Sequence, residues 1–134
     1  METITVDTWL TSVLKADTTL MALVPNVYSF PGTNLTYPSV VFQEQSVVDV
    51  RGVGPSRIMI DGLWLVRGIV ETTTFLGLSE SIANRIDFLL QAKKGTIPSG
   101  SIWGCARVRP FRLVETVLSR QYRHLGGIYR IYAK

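Results

Sequence analysis

Cysteine is almost missing from this chain. Cys105 stands alone, so no disulfide can form within it, and a reducing compartment or indifference to redox is expected. Histidine is as scarce: His124 is the only one, and no second ligand type lies near it at metal-binding spacing. A zinc site needs four ligands, or three plus water, so no metal is expected. No apolar run approaches the roughly 18 residues of a membrane span, which leaves no membrane partner to expect. The opening Met-Glu-Thr-Ile-Thr-Val-Asp has no basic region ahead of an apolar run, so it is not read as a signal peptide. Acidic residues are few, 10 against 14 Lys and Arg; the net charge of +4 is too modest by itself to argue for nucleic acid. Low charge, 18% of residues, beside 46% hydrophobic ones excludes a disordered chain. The length of 134 residues suits a single domain spanning 1–134 with a real core.

Chemistry-bearing constellations are also lacking. The carboxylates Asp49, Asp61, Glu71, Asp87 and Glu115 are scattered over different segments. Gly52-Val53-Gly54 leads into a strand pattern, whereas a phosphate-cradling glycine loop follows a strand and opens a helix. A Cys105–His124 nucleophile pair stays open, because such pairs meet only in space, but nothing around Cys105 has a catalytic signature and a buried structural cysteine is the commoner case. No catalytic residue, cofactor or metal is therefore expected, and the chain reads as a non-enzyme.

What the sequence does hold is a long strand pattern over residues 57–70. One parity (Ile58, Ile60, Gly62, Trp64, Val66, Gly68, Val70) is wholly apolar or glycine and should line a core. The other (Arg57, Met59, Asp61, Leu63, Leu65, Arg67, Ile69) mixes charge with apolar residues. Leu63, Leu65, Arg67 and Ile69 are thus candidates for a subunit interface, or for cover by the protein's own turns.

Around this stretch, Val6, Trp9, Leu10, Val13 and Leu14 recur at helical spacing, which predicts a helix from about residue 6 capped by Thr5 with Asp7 in its first turn. Asp17 is placed to cap a further turn carrying Leu20, Met21, Leu23 and Val24, ended by Pro25-Asn26. Residues 27–29 read as extended, 30–38 as a loop and 39–48 as a strand. Asp49, Val50, Arg51, Gly52, Val53, Gly54, Pro55 and Ser56 form a connection longer than a tight hairpin needs, a candidate partner-contact loop. Residues 72–77 turn into a second helix with the stripe Leu78, Ile82, Ile86, Leu89 and Leu90, Glu80, Asn84, Asp87 and Gln91 outward, and Gly95 as its cap. A linker over 96–101, an extended stretch over 103–116 interrupted by Pro110 as an edge or bulge, and a closing strand over 128–133 complete the chain. The class is α+β, an antiparallel sheet with two helices on one face. After residue 102, Arg107, Arg109, Arg112, Arg120, Arg123, Arg130 and Lys134 face a single acid, Glu115, with Tyr122, Tyr129 and Tyr132 interleaved. Arg107 and Arg109 share strand parity, as a solvated face would, and no DNA- or RNA-binding module signature is present.

Several of these segments together resemble a known family. Leu14-Lys-Ala-Asp-Thr-Thr-Leu20-Met-Ala-Leu23-Val24 is similar to its first-helix signature, and Tyr37-Pro-Ser-Val-Val-Phe-Gln43 to the apolar strand that follows a Tyr-Pro. The long strand, the Leu76-Gly-Leu78 helix entry and a basic-aromatic hairpin from Tyr122 to Tyr132 follow in the same order. The family is that of the tail terminator, or tail completion, proteins of long-tailed bacteriophages and gene-transfer particles. The resemblance implies a small antiparallel sheet with two helices and a homo-oligomer, a hexameric ring. That ring would dock on the tail tube protein, stop tube growth and present a surface to the head connector at the neck. It implies non-specific passage of DNA through the lumen, with Arg107, Arg109, Arg112, Arg120 and Arg123 as candidate lumen residues. It also implies a place at the tail–neck junction of the virion, reached from the host cytoplasm during assembly. A head-completion or neck adaptor, and a basic nucleic-acid-binding domain, are the alternatives the residues leave open.

Overall fold

The structure, a computed structural model, describes residues 2–29, 36–54, 57–72 and 76–134. Helix α1 (Glu2–Ala16) and the short α2 (Thr18–Leu23) lead to strand β1 (Asn26–Tyr28). Strands β2 (Ser39–Arg51) and β3 (Arg57–Glu71) follow, then α3 (Leu76–Leu90), β4 (Gly95–Ile97), β5 (Gly100–Val117) and β6 (Arg120–Ala133). The six strands make one mixed sheet in the order β1-β2-β3-β6-β5-β4, with β1 parallel to β2 and every other pair antiparallel. The class is α+β as expected, with three helices rather than two.

The first parity of β3 behaves as the pattern requires. Ile60, Trp64, Val66 and Val70 are buried in one cluster with Val6, Trp9, Leu10 and Leu14 of α1, Leu20 of α2, Ile82, Ile86 and Leu90 of α3, and Tyr129, Ile131 and Ala133 of β6. Gly62 and Gly68 complete this face: a Cβ on Gly68 would strike Ile82, so glycine lets α3 lie close to the sheet. Ile58 departs from the pattern and is exposed, because β3 runs past the end of β6 there. Two polar side chains anchor the cluster, with Trp64 Nε1 donating to Asp7 Oδ1 at 3.1 Å and the Tyr129 hydroxyl to Asp87 Oδ1 at 3.0 Å. Asp87 is therefore half-buried at the margin of the cluster rather than fully outward.

Several boundaries differ from the sequence reading, each for a local reason. Helix α1 begins at Glu2, and Thr5 lies inside it, buried with its hydroxyl toward Ser99. Asp17 caps α2 as expected: its carboxylate accepts from Leu20 N at 2.8 Å and takes two bonds from Arg85 of α3 at 2.8 and 2.7 Å. The α3 terminus uses Ala92 (φ 58°), not Gly95, in the left-handed position, and Gly95 sits against the Trp9 ring at the start of β4. The expected linker is the β4–β5 hairpin, and Gly77 belongs to α3. Asp49, Val50 and Arg51 are part of β2, so the expected loop shrinks to a turn at Gly52–Gly54, with Pro55 and Ser56 outside the described residues. The loop expected over 30–38 falls largely outside them as well.

The largest difference is the β5–β6 hairpin. Strand β5 continues through Pro110, which lies where β4 no longer covers that edge, beside a bulge between Arg107 and Arg109. Strand β6 runs from Arg120 to Ala133 rather than from residue 128, so Tyr122 to Tyr132 is one strand and not the hairpin that the resemblance implies, and Gly126 and Gly127 lie mid-strand. A Cβ on Gly126 would collide with the Val66 carbonyl, so this glycine permits close approach of β6 to β3.

Candidate functional site

Register places two ribbons at opposite ends of the sheet. Strand β3 pairs with β6 only from Ile60 to Glu71, so Arg57–Met59 is held by β2 alone and that hairpin projects beyond the sheet. At the other end the β3–β6 register stops at Glu71 opposite Tyr122, with one further bond from Thr72 N to the Gln121 carbonyl at 3.0 Å, so the rest of the β5–β6 hairpin projects the opposite way. Both tips carry exposed apolar side chains: Val48, Val53 and Ile58 on the first, Val114, Val117 and Leu118 on the second. Leu118 is 93% exposed. Leu118 and Ser119 both have positive φ, 49° and 67°, as a two-residue hairpin turn of the primed type demands. A leucine held there costs roughly 1–2 kcal/mol relative to glycine.

Between the second arm and the body lies a groove of about 1010 Å³ on the sheet face opposite the main core. Leu65, Ile69, Phe111 and Leu113 give it apolar walls, Tyr37 and Tyr122 stack beside it with ring centroids 4.7 Å apart, and Glu71 and Arg120 pair at 3.6 Å on its rim. Its floor is polar. Arg67 and His124 are buried, 7% and 4% exposed. Arg67 Nε donates to His124 Nδ1 at 3.0 Å and Nη1 to Gln43 Oε1 at 3.1 Å, while His124 Nε2 faces Glu115 Oε1 at 3.1 Å. Because Nδ1 accepts from a guanidinium, the imidazole proton sits on Nε2 and donates to Glu115. Burial holds the His124 pKa below its usual value, with Arg67 acting in the same direction and Glu115 against it. Burial also lowers the Arg67 pKa, opposed by Glu115. No carboxylate among the described residues is bonded to this guanidinium; its nearest counter-charge reaches it through a neutral ring.

The sequence-predicted residues fall as follows. Leu65, Arg67 and Ile69 are covered within their own chain and line the groove; Leu63 is half-buried on the same face. The five arginines do not share a surface. The bulge turns Arg107 toward Asp87 of α3, 3.9 Å away, opposite Tyr129, and turns Arg109 to the groove face opposite Ile128. Arg112 and Arg123 follow Arg107's face, and Arg120 follows Arg109's. Cys105 and His124 lie on opposite faces of the sheet, Cys105 in the core with its thiol pKa pushed up to about 12 by burial, so they form no nucleophile pair. Among the described residues no three His, Cys, Asp or Glu side chains converge on a metal-sized site, and no helix is long and apolar enough to cross a membrane. The Arg67–His124–Glu115 network was not anticipated. Its only signals in the sequence are an arginine inside a strongly apolar strand and a solitary histidine.

Comparison with family models and with curated proteins finds no match. Among solved structures, the chain is similar to one from the virion of a native gene transfer agent particle, with a TM-score of 0.73 and 18% identity. The match covers 92% of this chain and 90% of the other, so nearly the whole α+β arrangement is that of a chain from an assembled virion.

Proposed function

We propose that the chain is a structural virion protein, a ring-forming tail terminator. It caps the tail tube of a phage or gene-transfer particle, stops tube growth and offers the surface for joining to the head, with DNA passing through its lumen. The observation that carries this reading is the fold likeness to a virion chain over 92% of this chain. Two features support it. Residues of all three helices share one buried cluster with Trp64, Val66, Tyr129 and Ile131 of β3 and β6, while Leu65, Ile69 and His124 of the alternate parity line a groove, and two hairpins with exposed valine and leucine tips project from opposite ends. Such tips are poorly suited to bulk water and well suited to burial against neighbours. The tail tube protein and the head connector are the partners, and the ring a homo-oligomer, hexameric by resemblance; the rotation per copy closes it.

Shortening the β2–β3 turn at Gly52–Gly54 tests this in particles. The expected outcome by electron microscopy is unjoined heads and tails, with tails of irregular, excessive length. Unjoined particles with tails of normal length would instead indicate a neck adaptor, and normal joining would remove the turn from the contact.

A further inference from the structure

The groove and the β2–β3 tip are complementary in both polarity and charge. The tip presents Val48 and Val53 to solvent, with Asp49 half-exposed and Arg51 exposed and without an ion pair among the described residues. Asp49 has only a loose pairing to Arg57, at 3.5 Å. The groove offers the inverse set: apolar walls, a buried Arg67 with no carboxylate among the described residues bonded to it, and Glu115, which is held by a neutral imidazole. Its volume, about 1010 Å³, is at the upper end of small-molecule pockets and admits several side chains. Burying a guanidinium is costly when no counter-charge reaches it, and an incoming carboxylate offsets that cost most where water is already excluded.

We propose that the groove receives the β2–β3 hairpin tip of a second copy, the Asp49 carboxylate meeting Arg67 and the Arg51 guanidinium meeting Glu115. Tip and groove are different surfaces toward opposite ends of the sheet, and in a ring the contact runs head-to-tail: each copy gives its tip to one neighbour and accepts the tip of the other. This deepens the ring reading and rests on it, since a head-to-tail contact closes only when its rotation divides a full turn.

Two blocked proteins test it. One carries Asp49→Arg and Val53→Glu and keeps its groove; the other carries Leu113→Arg and keeps its tip. All three positions are exposed, so unchanged thermal unfolding verifies each fold. By light scattering, each variant alone is expected to be monomeric where the wild type assembles. An equimolar mixture is expected to give a dimer and nothing larger, because one tip and one groove remain. A mixture that stays monomeric beside an assembling wild type, or a blocked variant that still assembles alone, overturns the contact while leaving the ring reading intact. A wild type monomeric at every concentration also overturns it as a self-contact; the ring on the tube is then judged separately, by joining of particles.

Discussion

At the scale of single residues, the groove floor couples stability to pH. His124 is buried and neutral, and Arg67 donates to the nitrogen that protonation would have to occupy. Its pKa is lower folded than unfolded, so the unfolded chain binds more protons in the interval between the two values. Stability therefore rises with pH across that interval and falls as pH drops below the ~6.5 of a free imidazole. Urea midpoints should decline between about pH 7 and pH 5, before most carboxylates titrate. His124→Gln keeps one donor for Glu115 and one acceptor for Arg67, so this decline should flatten. An unchanged slope would assign the titration elsewhere. Asp17 makes a second case. It caps α2 and holds Arg85 of α3 through two bonds, so Asp17→Ala should cost about 1–2 kcal/mol, read as a lower urea midpoint at constant slope. The cap was legible, because an aspartate before Thr-Thr-Leu has a local mechanism. Its link to Arg85 was not, since the two residues are 68 positions apart and nothing local announces the pair.

At the scale of elements, legibility followed whether the controlling interaction was local. The alternation of β3 and the stripe of α3 declared themselves because one face of each meets the core. The β5–β6 hairpin did not, because its turn is Leu118-Ser119 rather than the Asn-Gly or Asp-Gly that such turns favour, while Gly126-Gly127 imitates a turn in mid-strand. Leucine in a left-handed, solvent-exposed position carries a conformational cost that its own side chain, facing water, does little to offset. Replacing Leu118-Ser119 with Asn-Gly should raise stability by roughly 1 kcal/mol, seen as a higher melting temperature. If the exposed leucine touches a partner in the particle, the same change should lower head–tail joining. A stabilised variant with full joining would leave the unfavourable turn without a functional reason.

At the scale of the whole molecule, the pattern of charge in the last third of the chain misled where the pattern of hydrophobicity did not. Arg107, Arg109 and Arg112 suggest a basic lining when read along the sequence. One extra residue at the bulge sends Arg109 to the groove face and brings Arg112 to the core face beside Arg107. Period-two reasoning has no means of seeing such an insertion, since a single bulge inverts every side chain beyond it. The separation makes DNA passage testable by face. In a ring whose outer layer is helical, the lumen wall is the other sheet face, which puts Arg109 inward and Arg112 outward. DNA affinity of the assembled ring should then fall less steeply with salt in Arg109→Gln, by about 0.9 in log–log slope for each phosphate no longer neutralised, and remain unchanged in Arg112→Gln. The reverse pattern would turn the ring inside out, and equal slopes in both would mean that neither arginine meets DNA. In such a ring every copy would repeat the substitution, so even weak contacts would be multiplied and the difference should be measurable.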